Sequence, residues 1–435
     1  MHVVTRFPPS PTGYFHIGSA RTALFNYVFA AKEGGVMYLR FEDTDKERSK
    51  KEYEDDILAG LAWLGIPFTP AAPLRQSERV ENYRVYLHAL IKTGAAYEAE
   101  EGLAGGKVIR FRNPNTRVTF SDLIRGEMGF DTAELKDFII ARNADDPLYH
   151  LAVVADDHDM GITHVIRGED HLSNTQRQIL IMEALGFERP RYAHMPLILA
   201  PDRNKLSKRH GAVSVNEYKR EGYLPEALVN YLALLGWTPP EKEKFSLGEM
   251  IAAFDIGAVH KSGAIFDARK LEWLNKEYLR EMPDDIFVKE VTRRAPVWDE
   301  RTAAKLAPLL RERVGVWRDL GALAEEFDYF SAEPKLDPAK VSGKGSDATS
   351  ASRHLQTLHE MFMKAAVDDF SDPDTIKNIV WGYATAEGRG AVLWPLRYAL
   401  SGREKSPDPF LIASSLGKEK TLSRVQTALA LLKAS

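Results

Sequence analysis

Apolar positions near the start of the chain switch between the periods of strand and helix. Val3 and Val4 begin a short strand that stops at a proline-rich loop, after which Ala20, Leu24, Val28 and Ala31 recur at helical spacing. Val36 to Phe41 alternates as a strand and runs into Glu42-Asp43-Thr44-Asp45. Strand, loop, helix, strand opens a doubly wound sheet, in which ligands sit beyond the carboxyl ends of the strands. That rule brings the loop from Arg6 to Gly18 and the residue Glu42 to one edge.

A second group of strand-like segments, Leu148 to Ala155 and Thr163 to Arg167, precedes an amphipathic helix from about Ser173 to Leu185. Pro196 to Ala200 reads as a further buried strand whose exit is the loop from Asp202 to Arg209. The sheet is therefore expected in two halves, with residues 81–149 inserted between them. Pro225-Glu226 opens a helix, Ser246-Leu247-Gly248-Glu249 has the form of a capping box, and beyond Phe245 helical signals take over. Ser331 to Ser352 is rich in proline, glycine, serine and lysine, as in a loop, and helices resume at Arg353 to Ala366 and Ser423 to Lys433. The fold class expected is α/β, a Rossmann-type parallel sheet split by an α+β insertion and followed by all-α C-terminal domains.

At 435 residues the chain is too long for one ordinary core. Its 44% apolar and 28% charged residues describe a soluble globular protein, and its longest apolar runs, such as Ala227 to Leu235, fall far short of a bilayer span. Thr5, Arg6 and three prolines interrupt any signal-peptide stretch, so a cytoplasmic location is expected. The chain has no cysteine, which removes disulfides, thiolate nucleophiles and thiolate zinc sites together. A net charge of −4 argues against nucleic-acid binding by the whole surface but leaves room for local patches.

The chemistry is concentrated in two loops. Arg6-Phe7-Pro8-Pro9-Ser10-Pro11-Thr12-Gly13-Tyr14-Phe15-His16-Ile17-Gly18 leads from strand to helix, and Lys205-Leu206-Ser207-Lys208-Arg209 supplies cations. Glycine lets a backbone approach a ligand closely, a helix N-terminus offers free N–H groups to phosphates, and the prolines stiffen the first loop. Other glycine-lysine fragments, Gly105-Gly106-Lys107 and Gly343-Lys344-Gly345, lack the spacing of a phosphate loop, and no dinucleotide fingerprint is present. Together the two loops resemble the ATP-binding signatures of class I aminoacyl-tRNA synthetases, and the residues between them resemble the bacterial glutamyl-tRNA synthetases. The resemblance implies that His16 contacts the ATP phosphates, that Gly18 makes room for adenine and that Lys208 stabilises the transferring phosphate, these three being the catalytic set. It extends the ATP site to Pro11, Thr12, Gly13, Ser19, Lys205, Ser207 and Arg209. Ser19 stands where the wider class has histidine, Leu206 replaces the commoner methionine and Arg209 the final serine.

The same resemblance implies a glutamate site of Arg6, Pro8, Ser10, Glu42, Tyr149 and Arg167. Glu42 would hold the amino group and the arginines the carboxylates, for which guanidinium is the natural bidentate partner. Arg40-Phe41-Glu42-Asp43-Thr44-Asp45 and Arg167-Gly168-Glu169-Asp170-His171-Leu172-Ser173-Asn174 match runs of the family, while Val153 replaces a residue that is polar in some relatives. Asp156, Asp157, His158, Asp159, His164, Glu169, Asp170 and His171 crowd together in sequence as metal ligands do. They lack a metal-site spacing, and an acidic turn between two strands is expected instead.

On this footing five domains are expected: 1–80 and 150–205 as the two catalytic halves, 81–149 gripping the tRNA acceptor end, 206–300 contacting the stem, and 301–435 as a helical anticodon-binding part. The insertion is shorter than in many bacterial relatives. From Ser331 onward 14 lysines and arginines stand against 12 acidic residues, a weak tilt toward RNA. The implied reaction attaches L-glutamate to tRNA(Glu) through a glutamyl adenylate, using ATP with Mg2+, no zinc and no membrane, in a monomer. Two alternatives stay open at this point: a nondiscriminating enzyme that also charges tRNA(Gln), and a catalytically silent tRNA-binding paralogue.

Overall fold

In the computed structural model Val4–Phe7 forms the first strand, β1, and Pro8 and Pro9, with no N–H to donate, end it. The structure describes residues 2–70, 72–101, 106–204, 206, 214–239, 242–343 and 347–434. They fall into two compact units, Met1–Tyr278 and Leu279–Ser435. In the first, α1 (Ile17–Lys32) buries Ala20, Leu24 and Val28 on the face expected. It leads into β2 (Val36–Phe41), α2 (Lys51–Leu64) and β3 (Leu74–Arg75). These three strands are parallel, with Val4 opposite Val36 and Arg40 opposite Leu74.

Next come α3 (Val80–Lys92) and six strands: β4 (Ala96–Glu101), β5 (Gly106–Phe111), β6 (Arg117–Asp122), β7 (Gly126–Asp131), β8 (Phe138–Asn143) and β9 (Asp146–Pro147). β4, β5, β8 and β9 make an antiparallel sheet, and β6 and β7 a hairpin. β6 alternates as a half-buried strand should, with Val118, Phe120 and Asp122 inward, so that a carboxylate occupies the last core position.

The segment Leu148 to Ala155, expected as a strand, is α4 (Tyr149–Asp159). Leu151, Ala152, Val153, Val154 and Ala155 are buried on every side, and a short run buried all round carries no period to separate strand from helix. Parallel strands resume with β10 (His164–Gly168), followed by α5 (Leu172–Leu185) as expected. β11 (Arg191–Met195) is the main strand where Pro196 to Ala200 was expected to be; the latter contributes only β12 (Ile198–Leu199). β10 and β11 pair in parallel, and β10 is tied to β1 by the Thr163 N–H on the Val4 carbonyl (3.0 Å) and the Val4 N–H on Thr163 Oγ1 (2.8 Å). The parallel sheet is therefore assembled from two stretches of chain with the β4–β9 region between them, and β6 docks on its β11 edge at Asp122 opposite Tyr192.

α6 (Val215–Glu221), α7 (Pro225–Leu234), α8 (Leu247–Ala253), β13 (Ala264–Ile265) and α9 (Ala268–Glu281) follow. The capping box at Ser246 and the proline in the first turn of α7 are both present. The second unit is helical among its described residues. It comprises α10 (Asp284–Arg294), α11 (Glu300–Arg313), α12 (Asp319–Glu326), α13 (Pro338–Val341), α14 (Ala348–Lys364), α15 (Pro373–Glu387), α16 (Arg389–Ser401), α17 (Pro409–Leu416) and α18 (Lys418–Ala434). Its core joins Leu355, Leu358 and Phe362 of α14 with apolar residues of α15 to α18 such as Val380, Leu396 and Val425.

Candidate active site

Four parallel strands deliver their carboxyl ends to one edge. Arg6 sits in β1, Glu42 directly after β2, Arg167 in β10 and His194 beside it in β11, with Arg167 and His194 opposite each other in register. The proline loop lies across the end of β2, where the Glu42 N–H donates to the Pro9 carbonyl at 3.0 Å. Pro8 is half-buried and Ser10 exposed on that loop.

Beneath the loop is a buried network of ions. Asp157 of α4 accepts from Arg6 Nε at 3.1 Å and from a terminal nitrogen of Arg40 at 2.7 Å, and the other terminal nitrogen of Arg40 donates to Glu42 Oε1 at 2.9 Å. Asp156 accepts from Arg79 Nε (2.7 Å), Gln76 Nε2 (2.8 Å) and the Tyr83 hydroxyl (2.9 Å). A buried charge persists only when paired, and here both signs are matched. Burial acts to raise both carboxyl pKa values. At Asp157 Arg6 and Arg40 outweigh it and the pKa is lowered, whereas at Glu42 burial wins over Arg40 and the pKa is raised. Arg6 is 1% exposed and Arg167 5%, and one terminal nitrogen of each has no partner among the described residues.

Tyr149, half-buried at the start of α4, shares its electrostatic surroundings with Glu42, Arg167, Arg6 and Asp157; burial, then Glu42, raises its pKa. Its hydroxyl lies 3.2 Å from His171 Nδ1, and burial, followed by Arg167, pushes His171 down to about 4, so the ring is neutral near pH 7. Arg6, Glu42, Tyr149 and Arg167, four of the six expected glutamate-site residues, thus share one electrostatic neighbourhood.

His16 is the N-cap of α1. Its Nδ1 accepts from the Ser19 N–H at 3.1 Å, and the Ser19 hydroxyl is 3.1 Å from its Nε2. A Cβ on Gly18 would sit 3.1 Å from the His16 ring, so glycine preserves the space the imidazole uses. Pro11 accepts from the Lys50 N–H at 3.0 Å, and Thr12 and Gly13 are exposed on the turn before His16. Phe15 donates its N–H to Asp56 of α2 (2.6 Å), which also accepts from Asn216 of α6, and His16 bridges Ser214. The His16 turn is thereby fastened to the chain that leaves the lysine-serine-lysine loop. Lys205, Ser207, Lys208 and Arg209 lie outside the described residues; Leu206 donates its N–H to the Ile198 carbonyl at 3.1 Å.

The acidic and histidine run from Asp156 to His171 is a helix end and a strand rather than a turn between two strands. Asp156 and Asp157 are spent on arginines, and no group of three or more acidic or histidine residues among the described ones is arranged to hold a metal. Arg125 is likewise engaged, with Glu169 and with the His194 carbonyl at 3.2 Å. Sequence reasoning passed over Asp157, Asp122 and His194 as site residues. The available signal was charge at positions where the apolar pattern of a strand or helix continues.

The class I tRNA synthetase (E and Q) catalytic-domain model matches residues 2–103 and 101–273, and an anticodon-binding-domain model matches 270–429. The glutamate–tRNA ligase of Oleidesulfovibrio alaskensis is 42% identical over 99% of both chains, and that of Aquifex aeolicus 48% identical over 66% of this chain and 69% of its own. The crystal structure of a glutamate tRNA ligase from Elizabethkingia meningosepticum in complex with its amino acid superposes with a TM-score of 0.89 at 33% identity over 99% of each chain. With both family models and a full-length likeness in sequence and fold, the chain belongs to the glutamate–tRNA ligases, a family of class I aminoacyl-tRNA synthetases.

Proposed function

We propose that the protein attaches L-glutamate to tRNA(Glu) in two steps at the carboxyl edge of the parallel sheet. An α-carboxylate oxygen of glutamate attacks the α-phosphorus of ATP, the bond to pyrophosphate breaks, and glutamyl adenylate forms. A terminal ribose hydroxyl of tRNA then attacks the acyl carbon, losing its proton as AMP leaves.

The observation that carries this reading is the pair of buried arginines, Arg6 and Arg167, each with a terminal nitrogen lacking a partner among the described residues, beside the buried carboxyl group of Glu42. Two buried cations and one buried carboxyl group complement an amino acid with two carboxylates and one ammonium. Neutral glutamine would leave a guanidinium unpaired, at a cost of about 3–5 kcal/mol, enough to reject it without editing. Pro8, Ser10 and Tyr149 complete the amino-acid site. The ATP site is built from Pro11, Thr12, Gly13, His16, Gly18 and Ser19 on one side and Lys205, Ser207, Lys208 and Arg209 on the other. Cations fixed where charge develops on the phosphates lower the barrier by about 2.7–4 kcal/mol each, and Lys208 is assigned that role. Magnesium, when bound with the nucleotide, would help neutralise its phosphates and would need few ligands from the protein.

Residues 1–80 and 150–205 form the catalytic halves in this reading, 81–149 the acceptor-end module, 206–300 the stem-contact part and 301–435 the anticodon-binding part, in a cytoplasmic monomer. The test is ATP-dependent transfer of labelled glutamate to separately purified tRNA(Glu) and tRNA(Gln). Charging of tRNA(Glu) alone is expected. Charging of both would replace the strict reading with a nondiscriminating one, and charging of neither would overturn the assignment in favour of a silent binding protein.

A further inference from the structure

His194 lies 0% exposed between two charged groups, and its two ring nitrogens are committed to opposite tasks. Nδ1 is 2.6 Å from Asp122 Oδ2, and Nε2 is 3.2 Å from Arg167 Nε. Arginine has donors and no acceptor, so Nε2 must present its lone pair, and the ring's single proton must sit on Nδ1, donated to Asp122. One tautomer of a neutral imidazole satisfies both contacts.

The surroundings reinforce that choice. Asp122 also accepts the backbone N–H groups of Ile124 and Arg125 (2.9 Å each) and of His194 itself (3.1 Å), which keeps it an acceptor and fixes its place at the end of β6. Thr175 Oγ1 of α5 accepts from a terminal nitrogen of Arg167 at 2.8 Å and lies 3.0 Å from His194 Nε2. Arg125 contacts the His194 backbone carbonyl rather than its ring, and Tyr192 and Phe120 pack against the ring. Arg167 is thus held on its Nε edge and at one terminal nitrogen, while the other terminal nitrogen is buried without a partner among the described residues.

We infer that Asp122 and His194 are positioning residues for substrate: they lock the Arg167 guanidinium in the orientation that aims its unpartnered nitrogen at a carboxylate of glutamate. The inference rests on Arg167 belonging to the glutamate site. It gives the β6–β7 hairpin, part of the inserted region, a role inside the amino-acid pocket through a single aspartate.

The test is steady-state charging of tRNA(Glu) by the full-length chain with His194→Ala, His194→Gln, Asp122→Asn, Arg167→Lys and the double variant His194→Ala with Arg167→Lys. His194→Ala is expected to raise KM for glutamate on the order of 10- to 100-fold while KM for ATP stays within about twofold, because a displaced guanidinium affects one substrate. His194→Gln, whose amide can accept from Arg167 and donate to Asp122, is expected to recover most of that loss; Asp122→Asn, whose NH2 must face either the ring or the Ile124 and Arg125 N–H groups, is expected to raise KM for glutamate in the same direction as His194→Ala. In the Arg167→Lys background His194→Ala is expected to add little, the non-additivity of two residues acting through one contact. Equal rises in KM for glutamate and ATP, or full additivity in the double variant, would reduce His194 to a general structural role. An unchanged glutamate KM in Arg167→Lys would instead remove Arg167 from the glutamate site, and the inference would fall with it. An unchanged glutamate KM in His194→Ala with a raised one in Arg167→Lys would leave the site standing and sink the positioning role alone.

Discussion

Two carboxyl groups paired with the same arginine, Arg40, respond in opposite directions to the same burial. Asp157 lies between Arg6 and Arg40, which outweigh its burial, and its pKa falls; at Glu42, hydrogen-bonded to Arg40, burial outweighs the nearby arginines and the pKa rises. A raised pKa makes ionised Glu42 a cost to the empty fold, which a substrate ammonium would offset. For Asp157 the sign runs the other way. Its folded pKa is depressed, so its contribution to stability is complete above the ordinary aspartate value of about 3.9 and is lost as pH falls through the folded value. Asp157→Asn is expected to destabilise the chain by about 3–5 kcal/mol at neutral pH, since two buried guanidiniums lose their shared anion. Denaturant unfolding as a function of pH checks this: the gap between parent and variant is expected to close in acid, and a gap that stays constant to pH 3 would mean that packing rather than charge is lost. At this scale the proline-to-glycine loop stood out by its turn-rich composition, and Glu42 by the family run from Arg40 to Asp45 that carries it. Asp157 did not, because only the fold places it 3.1 Å from Arg6, 151 positions away.

Among elements, the chain entering β1 and the start of β2 approach closely at Gly35. A Cβ on Gly35 would stand 2.0 Å from the Val3 carbonyl oxygen, and the Val36 N–H donates to that oxygen at 2.9 Å. Gly35→Ala is therefore expected to push the two strands apart, costing about 1–3 kcal/mol and shifting Arg6 relative to Glu42. A lowered melting temperature together with a raised KM for glutamate is the expected pair of results; a lowered melting temperature with unchanged kinetics would show the strain absorbed before it reaches Arg6. Most elements followed from apolar period and from end signals: α1, α5, the capping box of α8 and the proline start of α7. α4 did not, since five consecutive buried apolar residues erase the period that separates helix from strand. β11 was overlooked because its run, Arg191-Tyr192-Ala193-His194-Met195, carries polar residues into the core, and His194 is tolerated there by its bond to Asp122.

For the molecule as a whole, buried and exposed electrostatics separate two kinds of binding. The chain carries a net charge of −4, so contacts to an RNA backbone must come from local basic surface, which salt screens. The arginines proposed for the amino-acid site are buried and little screened. Raising salt from about 50 to about 200 mM is expected to raise KM for tRNA steeply and to leave KM for glutamate nearly unchanged. Parallel increases in both constants would place the glutamate-binding charges at the surface.

The sequence by itself determined the class of fold and the helical character of the C-terminal unit, because these depend on local period and turn chemistry, and its resemblance to a family marked the two signature loops and the residues proposed for the substrate pocket. The tertiary structure decided what each charge is for. Pairing in a low-dielectric interior is set by distance in space, so only the folded sheet could bring Arg6 to Asp157, Asp122 to His194 and His194 to Arg167.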